Sequence, residues 1–426
     1  MKKIFFFVFF TSALAFSQNY TEYITGSSAD VTTNHEFGIC MMGGASENDN
    51  AMIWFLNRAN GGDVVVLRAS GSDGYNNYMY SELGVSINSV RTFVIDNEVG
   101  ATDPYVLDKV MNAEAIWFAG GDQFDYVSYF KDNAMEDALN IFINSKRGVI
   151  GGTSAGMAIL GSVYFSAENG TVTNAQALSN PYDNRVALGY NDCLEIPFLE
   201  GVITDTHYDD PDRRGRHSAF LVRFATDNNS EVRGIACNEY TAVCIDEFGV
   251  ASVYGDYPNY PEYAYFLRSN CAEDFLPETC ESGQPLTWNQ GGEAIRVAKI
   301  PGTQSGQNFI DLGDWSYHEG VQWENWVVNT GSFANASTTD ANCDLLGVTE
   351  SVFADINVSP NPFTNYIKIS NLEYEYEATM YDVLGNNIDV HYSEYNKIDT
   401  SRQASGIYFL TIDLGDIKQT FKLLKE

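Results

Sequence analysis

A chain of 426 residues with 44% apolar side chains is long enough for two or three domains, which excludes disorder as its main state. Its 24 Lys and Arg face 57 Asp and Glu, and the formal net charge of −33 repels polyanions, excluding nucleic acid and anionic membrane as partners. Such a surface suits solubility outside the cell.

The chain opens with Met1-Lys2-Lys3 and the apolar run from Ile4 to Ala15, a positive start followed by a core too short to span a membrane. Residues 1–17 therefore read as a signal peptide, with Ala15 and Ser17 as the small residues of the cleavage site and Gln18 as the new N-terminus. No later stretch reaches the ~20 apolar residues of a spanning helix. Residues 18–345 read as one catalytic domain. Phe37 to Met42 is a short apolar strand ending in Gly43-Gly44, followed by a periodic segment from Met52 to Ala59 and the strand from Asp63 to Leu67. The alternation continues through Thr92 to Ile95, a helix from Tyr105 to Met111, the strand from Ala115 to Phe118, a helix from Met135 to Ser145 and the strand from Gly148 to Ile150. Gly201 to Ile203 and Ala242 to Ile245 extend it. This beat predicts an α/β fold, a mostly parallel sheet with helices on both faces.

From about Gly249 the chain turns rich in Tyr, Pro, Asn and Gly with scattered strands such as Ala294 to Ala298, which reads as β-rich decoration on the same unit. Four of the six tryptophans lie there and read as core. Seven cysteines leave at least one unpaired. Cys40, Cys237 and Cys244 sit in apolar runs and read as small core residues, whereas Cys271 and Cys280 flank a short polar segment and could close a disulfide loop. No C-x-x-C pair or His-rich cluster appears, so neither structural zinc nor another cofactor is expected. Asp209 to Asp212 reads as a solvated acidic loop, with metal binding as its alternative. Residues 350–426 form a separate module in which Val358-Ser359-Pro360-Asn361-Pro362, Tyr381 to Gly385, Ile398 to Thr400 and Ala404 to Leu410 punctuate alternating strands, predicting a small β-sandwich.

The chemistry lies in the middle. Gly152-Thr153-Ser154-Ala155-Gly156 is a G-x-S-x-G sequence between a predicted strand and a helix-compatible run, the context of a nucleophile elbow. A serine needs a base, and His207 follows the strand from Gly201 to Ile203, at the strand end where open α/β sheets build their sites. His35, His217, His318 and His391 are less well placed. Glu239 stands just before another strand and would orient the imidazole, with Glu168 and Asp205 as rivals. The amide of Ala155 and one from the turn Gly120-Gly121-Asp122-Gln123 would form an oxyanion hole. Arg213 and Arg216, with Arg214, form the dense basic cluster beyond His207, suited to gripping a substrate carboxylate against the net negative field.

Gly43-Gly44, Gly120 to Gln123, Gly151 to Gly156, Asp205-Thr206-His207, Asn238 to Ala242 and Pro285 to Trp288 occur in the order and spacing of the cyanophycinase and dipeptidase E family, which the chain resembles from about Phe37 to Trp315. The resemblance implies a fold similar to class I glutamine amidotransferases and a serine that cleaves peptide bonds next to aspartate, including isopeptide bonds to the β-carboxylate. It implies Ser154 as nucleophile, His207 as base, Glu239 as its partner, Gly121 and Ala155 as oxyanion amides, and Gln123 as a substrate contact; Asp205 is a further substrate-binding candidate beside Arg213 and Arg216. Thr206 stands where the family usually has Gln, and Asp209 to Asp212 interrupts its arginine-rich run, so the substrate pocket is altered. A silent ligand-binding homologue and a broader esterase or amidase are the alternative readings. The tail resembles the C-terminal sorting domain of type IX secretion in the Bacteroidetes phylum, implying the secretion machinery as a partner; a homodimer is also compatible.

Overall fold

The computed structural model describes residues 19–270, 275–313, 315, 318–339, 357–370, 376–383, 385–388, 391–394, 396–413 and 418–426. The chain divides into two units, Met1–Thr339 and Asp340–Glu426. The expected leader, Cys271, and the expected boundary at residues 345–350 lie outside the described residues.

The strands of the first unit are, in chain order, β1 (Thr21–Gly26), β2 (Gly38–Met42), β3 (Asp63–Arg68), β4 (Ser89–Val94), β5 (Ala115–Phe118), β6 (Val149–Thr153), β7 (Val163–Phe165), β8 (Leu188–Tyr190) and β9 (Val202–Asp205). They continue with β10 (Arg233–Cys237), β11 (Ala242–Ile245), β12 (Val250–Tyr254), β13 (Tyr263–Ser269), β14 (Ile295–Pro301), β15 (Asn308–Asp311), β16 (His318–Glu319), β17 (Gln322–Asn329) and β18 (Ser332–Ser337). Among the described residues they form two sheets. The first runs β1-β4-β3-β5-β6-β2-β11-β12-β15-β16 and the second β18-β17-β14-β13-β10-β9-β7-β8.

The apolar runs read from sequence are the parallel centre of the first sheet, where β4, β3, β5, β6 and β2 pair side by side. Both faces of these strands are buried, which is why their sequences are continuously apolar. Helix Asp49–Arg58 covers one face. Asn48 caps it by accepting the Ala51 N–H, and Ala51, Met52, Phe55 and Leu56 point inward against Cys40, Met42 and Trp117. Each of the larger side chains contributes roughly 1.5–3 kcal/mol by leaving water. Helices Pro104–Asn112, Gln123–Phe130 and Ala134–Ile141 cover the other face through Val106, Tyr126, Phe130 and Leu139.

Three features depart from expectation. β1 pairs antiparallel with β4 at the sheet margin, and its polar, half-buried sequence carries little strand signal. β9 belongs to the second sheet, where it pairs in parallel with β10. The chain after Gly249, expected as β-rich decoration on the same unit, is built into both sheets. β12 and β15 continue the first sheet, β13, β14 and β17 continue the second, and Val253, Phe266 and Ile300 share one core with Ile39 and Met41 of β2. Trp288, Trp315 and Trp326 are buried, as core residues should be.

The second unit is two four-stranded antiparallel sheets among its described residues. Ile367, Ile369 and Ile398 from one sheet and Met380, Leu410, Ile412 and Leu423 from the other meet in a single core, the arrangement of a small sandwich.

Candidate active site

β6 brings five buried residues to Ser154, where the chain turns into the short helix Ala155–Ala158. Ser154 has φ 53° and ψ −118°, a conformation that costs a non-glycine residue on the order of 1–3 kcal/mol. Its surroundings hold it there. The Ser154 N–H donates to Met42 O at 3.0 Å, and the Ala158 N–H donates to Ser154 O at 2.9 Å. The motif glycines are required by close approach, because a Cβ on Gly156 would stand 2.2 Å from the carbonyl oxygen of Phe118.

His207 follows β9 and Glu239 follows β10, so the base and its carboxylate come from the second sheet while the serine comes from the first. Ser154 Oγ lies 2.8 Å from His207 Nε2, and His207 Nδ1 lies 2.6 Å from Glu239 Oε1. With a carboxylate accepting the Nδ1 proton, Nε2 is left as an acceptor for the hydroxyl. The imidazole and the carboxylate are 24% and 23% exposed, open to a substrate yet partly shielded.

The Gly43-Gly44 turn after β2 joins the two sheets at this point. Gly43 O accepts from the His207 N–H at 2.8 Å, Gly44 O from the Tyr240 N–H at 3.1 Å, and the Gly43 N–H donates to Thr241 O at 3.0 Å. Gly44 has φ 117°, and a Cβ there would lie 2.4 Å from His207 Nε2. The sequence marks this pair as a glycine turn and as one of the motifs of the family resemblance, without assigning it a role at the site. Its place at the end of the first parallel strand was the available signal. Asp209, read as part of an acidic loop, accepts the Glu239 N–H at 3.0 Å and so fixes the carboxylate's backbone.

Gly120 packs against the serine, since a Cβ there would stand 3.5 Å from Ser154 Cβ, and the neighbouring Gly121 faces open space. Ala155, next to the serine, is buried. Gln123 begins the helix after this turn and donates through Nε2 to Phe165 O at 3.1 Å.

Asp205 and Arg216 require a correction. Both are buried, and Arg216 grips both Asp205 oxygens at 2.9 and 2.5 Å while also donating to Thr171 Oγ1. Burial opposes the charge of Asp205, but Arg216 outweighs it and holds the carboxyl below its usual range. The pair therefore braces the histidine loop from inside and offers no free fork to a substrate. Arg213 remains at the surface of this cluster, 21% exposed and 4.0 Å from Asp205 Oδ1, within the field of Glu239. Arg214 is bound to Asp212 through two hydrogen bonds of 2.9 Å.

The rival residues lie elsewhere. Glu168 is exposed on a turn, with Asn169 as its side-chain partner. His217 is buried with Nδ1 3.0 Å from the Tyr208 hydroxyl, His35 bonds to Lys146 O, and His318 packs against Trp323. The His391 side chain is outside those described. Among the described residues no cluster of His, Cys, Asp and Glu could hold a metal ion, Asp209 to Asp212 included. A cavity of about 410 Å³ lined by Ser162, Asn191, Glu195 and Glu200 opens near the N-terminal ends of β7 and β9 and contains none of the candidate residues.

Fold and site together define an α/β protein in which a serine on a strand-helix elbow meets a histidine and a glutamate. Residues 357–426 match the family model of the secretion system C-terminal sorting domain. The chain is similar to the crystal structure of a peptidase from an acI-B1 actinobacterium, at 14% identity and a TM-score of 0.39 over 53% of this chain and 93% of that one. It is also similar to a candidate peptidase E protein from Listeria monocytogenes EGD-e, at 14% identity and a TM-score of 0.35 over 52% of this chain and 99% of that one. No curated protein matches the chain.

Proposed function

We propose that the chain is an exported serine peptidase that hydrolyses aspartyl or β-aspartyl peptide bonds. The observation that carries the reading is the continuous relay from Ser154 Oγ through both His207 nitrogens to Glu239. Glu239 accepts the hydrogen bond of the His207 Nδ1–H, so Nε2 takes the hydroxyl proton as Ser154 attacks the carbonyl carbon. The amides of Ala155 and Gly121 then meet the developing oxyanion, and His207 returns its proton to the leaving amine. Water repeats the sequence on the acyl-enzyme. The partly exposed guanidinium of Arg213 supplies the positive charge an aspartyl carboxylate needs in a chain of net charge −33, and Gln123 is the further candidate substrate contact. The sorting tail supports export by the type IX route. Among the described residues no helix is long and apolar enough to cross a membrane.

The test is a hydrolysis screen of the purified full-length protein against β-aspartyl dipeptides, α-aspartyl peptides and cyanophycin. At least one class should be cleaved, and Ser154→Ala should lower kcat by roughly 10⁶ with little change in stability. A folded Ser154→Ala protein that hydrolyses normally overturns the nucleophile, and inertness of the wild-type protein towards all three classes overturns the substrate class.

A further inference from the structure

Two thiols that this chemistry does not use face each other beneath the site. Cys40 on β2 and Cys244 on β11 are directly opposed across an antiparallel pair, and their sulfurs lie 3.7 Å apart. Opposed residues of such a pair have Cα atoms about 4.5 or 5.5 Å apart, inside the ~4.4–6.8 Å that a disulfide spans without backbone movement. In the row they occupy, the neighbours are small, Gly151 beside Cys40 on β6 and Ser252 beside Cys244 on β12, and the Trp117 ring packs over Gly151. Cys237 cannot compete for Cys40, because it lies in the inter-sheet core with Met41 and Val243, on the opposite face from Cys40 and Cys244.

We propose that Cys40 and Cys244 form a disulfide in the exported protein, stapling β2 to β11 directly below the glycine turn that seats the histidine. The proposal rests on the export reading above, since a reducing compartment would keep both thiols. The oxidant is an exported protein disulfide or glutathione disulfide. One cysteine thiolate attacks it, forming a mixed disulfide and releasing one thiolate. The second cysteine then attacks the first sulfur, completing the Cys40–Cys244 bond and releasing the other thiolate, so two cysteine protons and two electrons leave the chain. Exchange takes place while the chain folds, because both sulfurs are fully buried afterwards. The bond links residues 204 apart and removes a large loop from the unfolded ensemble.

The full-length protein, produced in an oxidising bacterial periplasm, is unfolded in guanidinium with iodoacetamide and no reductant, then digested and weighed. Cys40 and Cys244 peptides should emerge joined, Cys237 should be alkylated, and prior reduction should release the joined pair as two separately alkylated peptides. In a denaturing gel the unreduced wild-type chain should run faster than the reduced one, and Cys244→Ser should abolish that difference. Complete alkylation of Cys40 and Cys244 before reduction, or joining of either to another cysteine, overturns the proposal. Both readouts are independent of hydrolysis, so this outcome leaves the serine relay untouched.

Discussion

His207 and His217 are ten residues apart and serve opposite ends. His207 sits at a strand terminus with φ 45°, partly open, bound to Ser154 and Glu239. His217 lies inside helix Arg214–Asn228, fully buried beside Tyr208, with Gly234 so close that a Cβ there would stand 2.7 Å from its Nε2. Arg213 and Arg216 repeat the contrast, one at the rim and one locked to Asp205. The lesson is that residue type names a capacity, and exposure and partner decide its use. At the rim, partly hydrated groups can exchange protons and ligands. In the core, an unpaired charge is so costly that a charged group is committed to fixed partners.

The sharpest way to break this comparison is to disturb each region alone. Glu239→Gln leaves the geometry but removes the charge that fixes the histidine tautomer, so kcat should fall by about 10⁴ while the unfolding midpoint stays put. Glu168→Gln should leave turnover unchanged, and the reverse ranking in steady-state assays would make Glu168 the third member. Arg216→Ala should do the opposite, destabilising the fold by about 3–5 kcal/mol in urea unfolding because it strands Asp205 as a buried charge. Replacing both partners, Arg216→Met with Asp205→Leu, should recover part of that loss.

Acid should weaken the core around His217. Burial pushes His217 down to about 4 from 6.5, so an unfolded chain takes up a proton that the folded one refuses. Stability is therefore full above about pH 6.5 and should fall by roughly 3 kcal/mol as the pH drops to about 4, with Asp205 adding a further loss below its usual carboxylate range. Denaturant unfolding across this pH span checks it, and a flat profile would mean that His217 is hydrated in solution. The smallest effect belongs to Arg213. Arg213→Ala should cut kcat/KM for acidic substrates by ~10 to 100-fold, the scale of a lost charge-assisted contact, and spare a neutral ester. Equal losses on both would place Arg213 with the bracing residues.

Much of this protein was legible from its sequence. The apolar runs of β2, β3, β5 and β6, the G-x-S-x-G turn and the punctuation of the tail are local signals, set by side-chain period and turn chemistry within a few residues. They determined the α/β class, the elbow and the C-terminal sandwich. Tertiary structure decided what local signals cannot carry. Ser154 and His207 are 53 residues apart and His207 and Glu239 are 32 apart, and their meeting depends on two sheets joining at Gly43-Gly44. The same long-range pairing set Glu239 beside His207, turned Arg216 inward to Asp205, set Cys40 against Cys244 and drew the chain after Gly249 into both sheets. Strand order and register settle such choices, because a side chain's partner is fixed by which strand lies beside it and which face it points to.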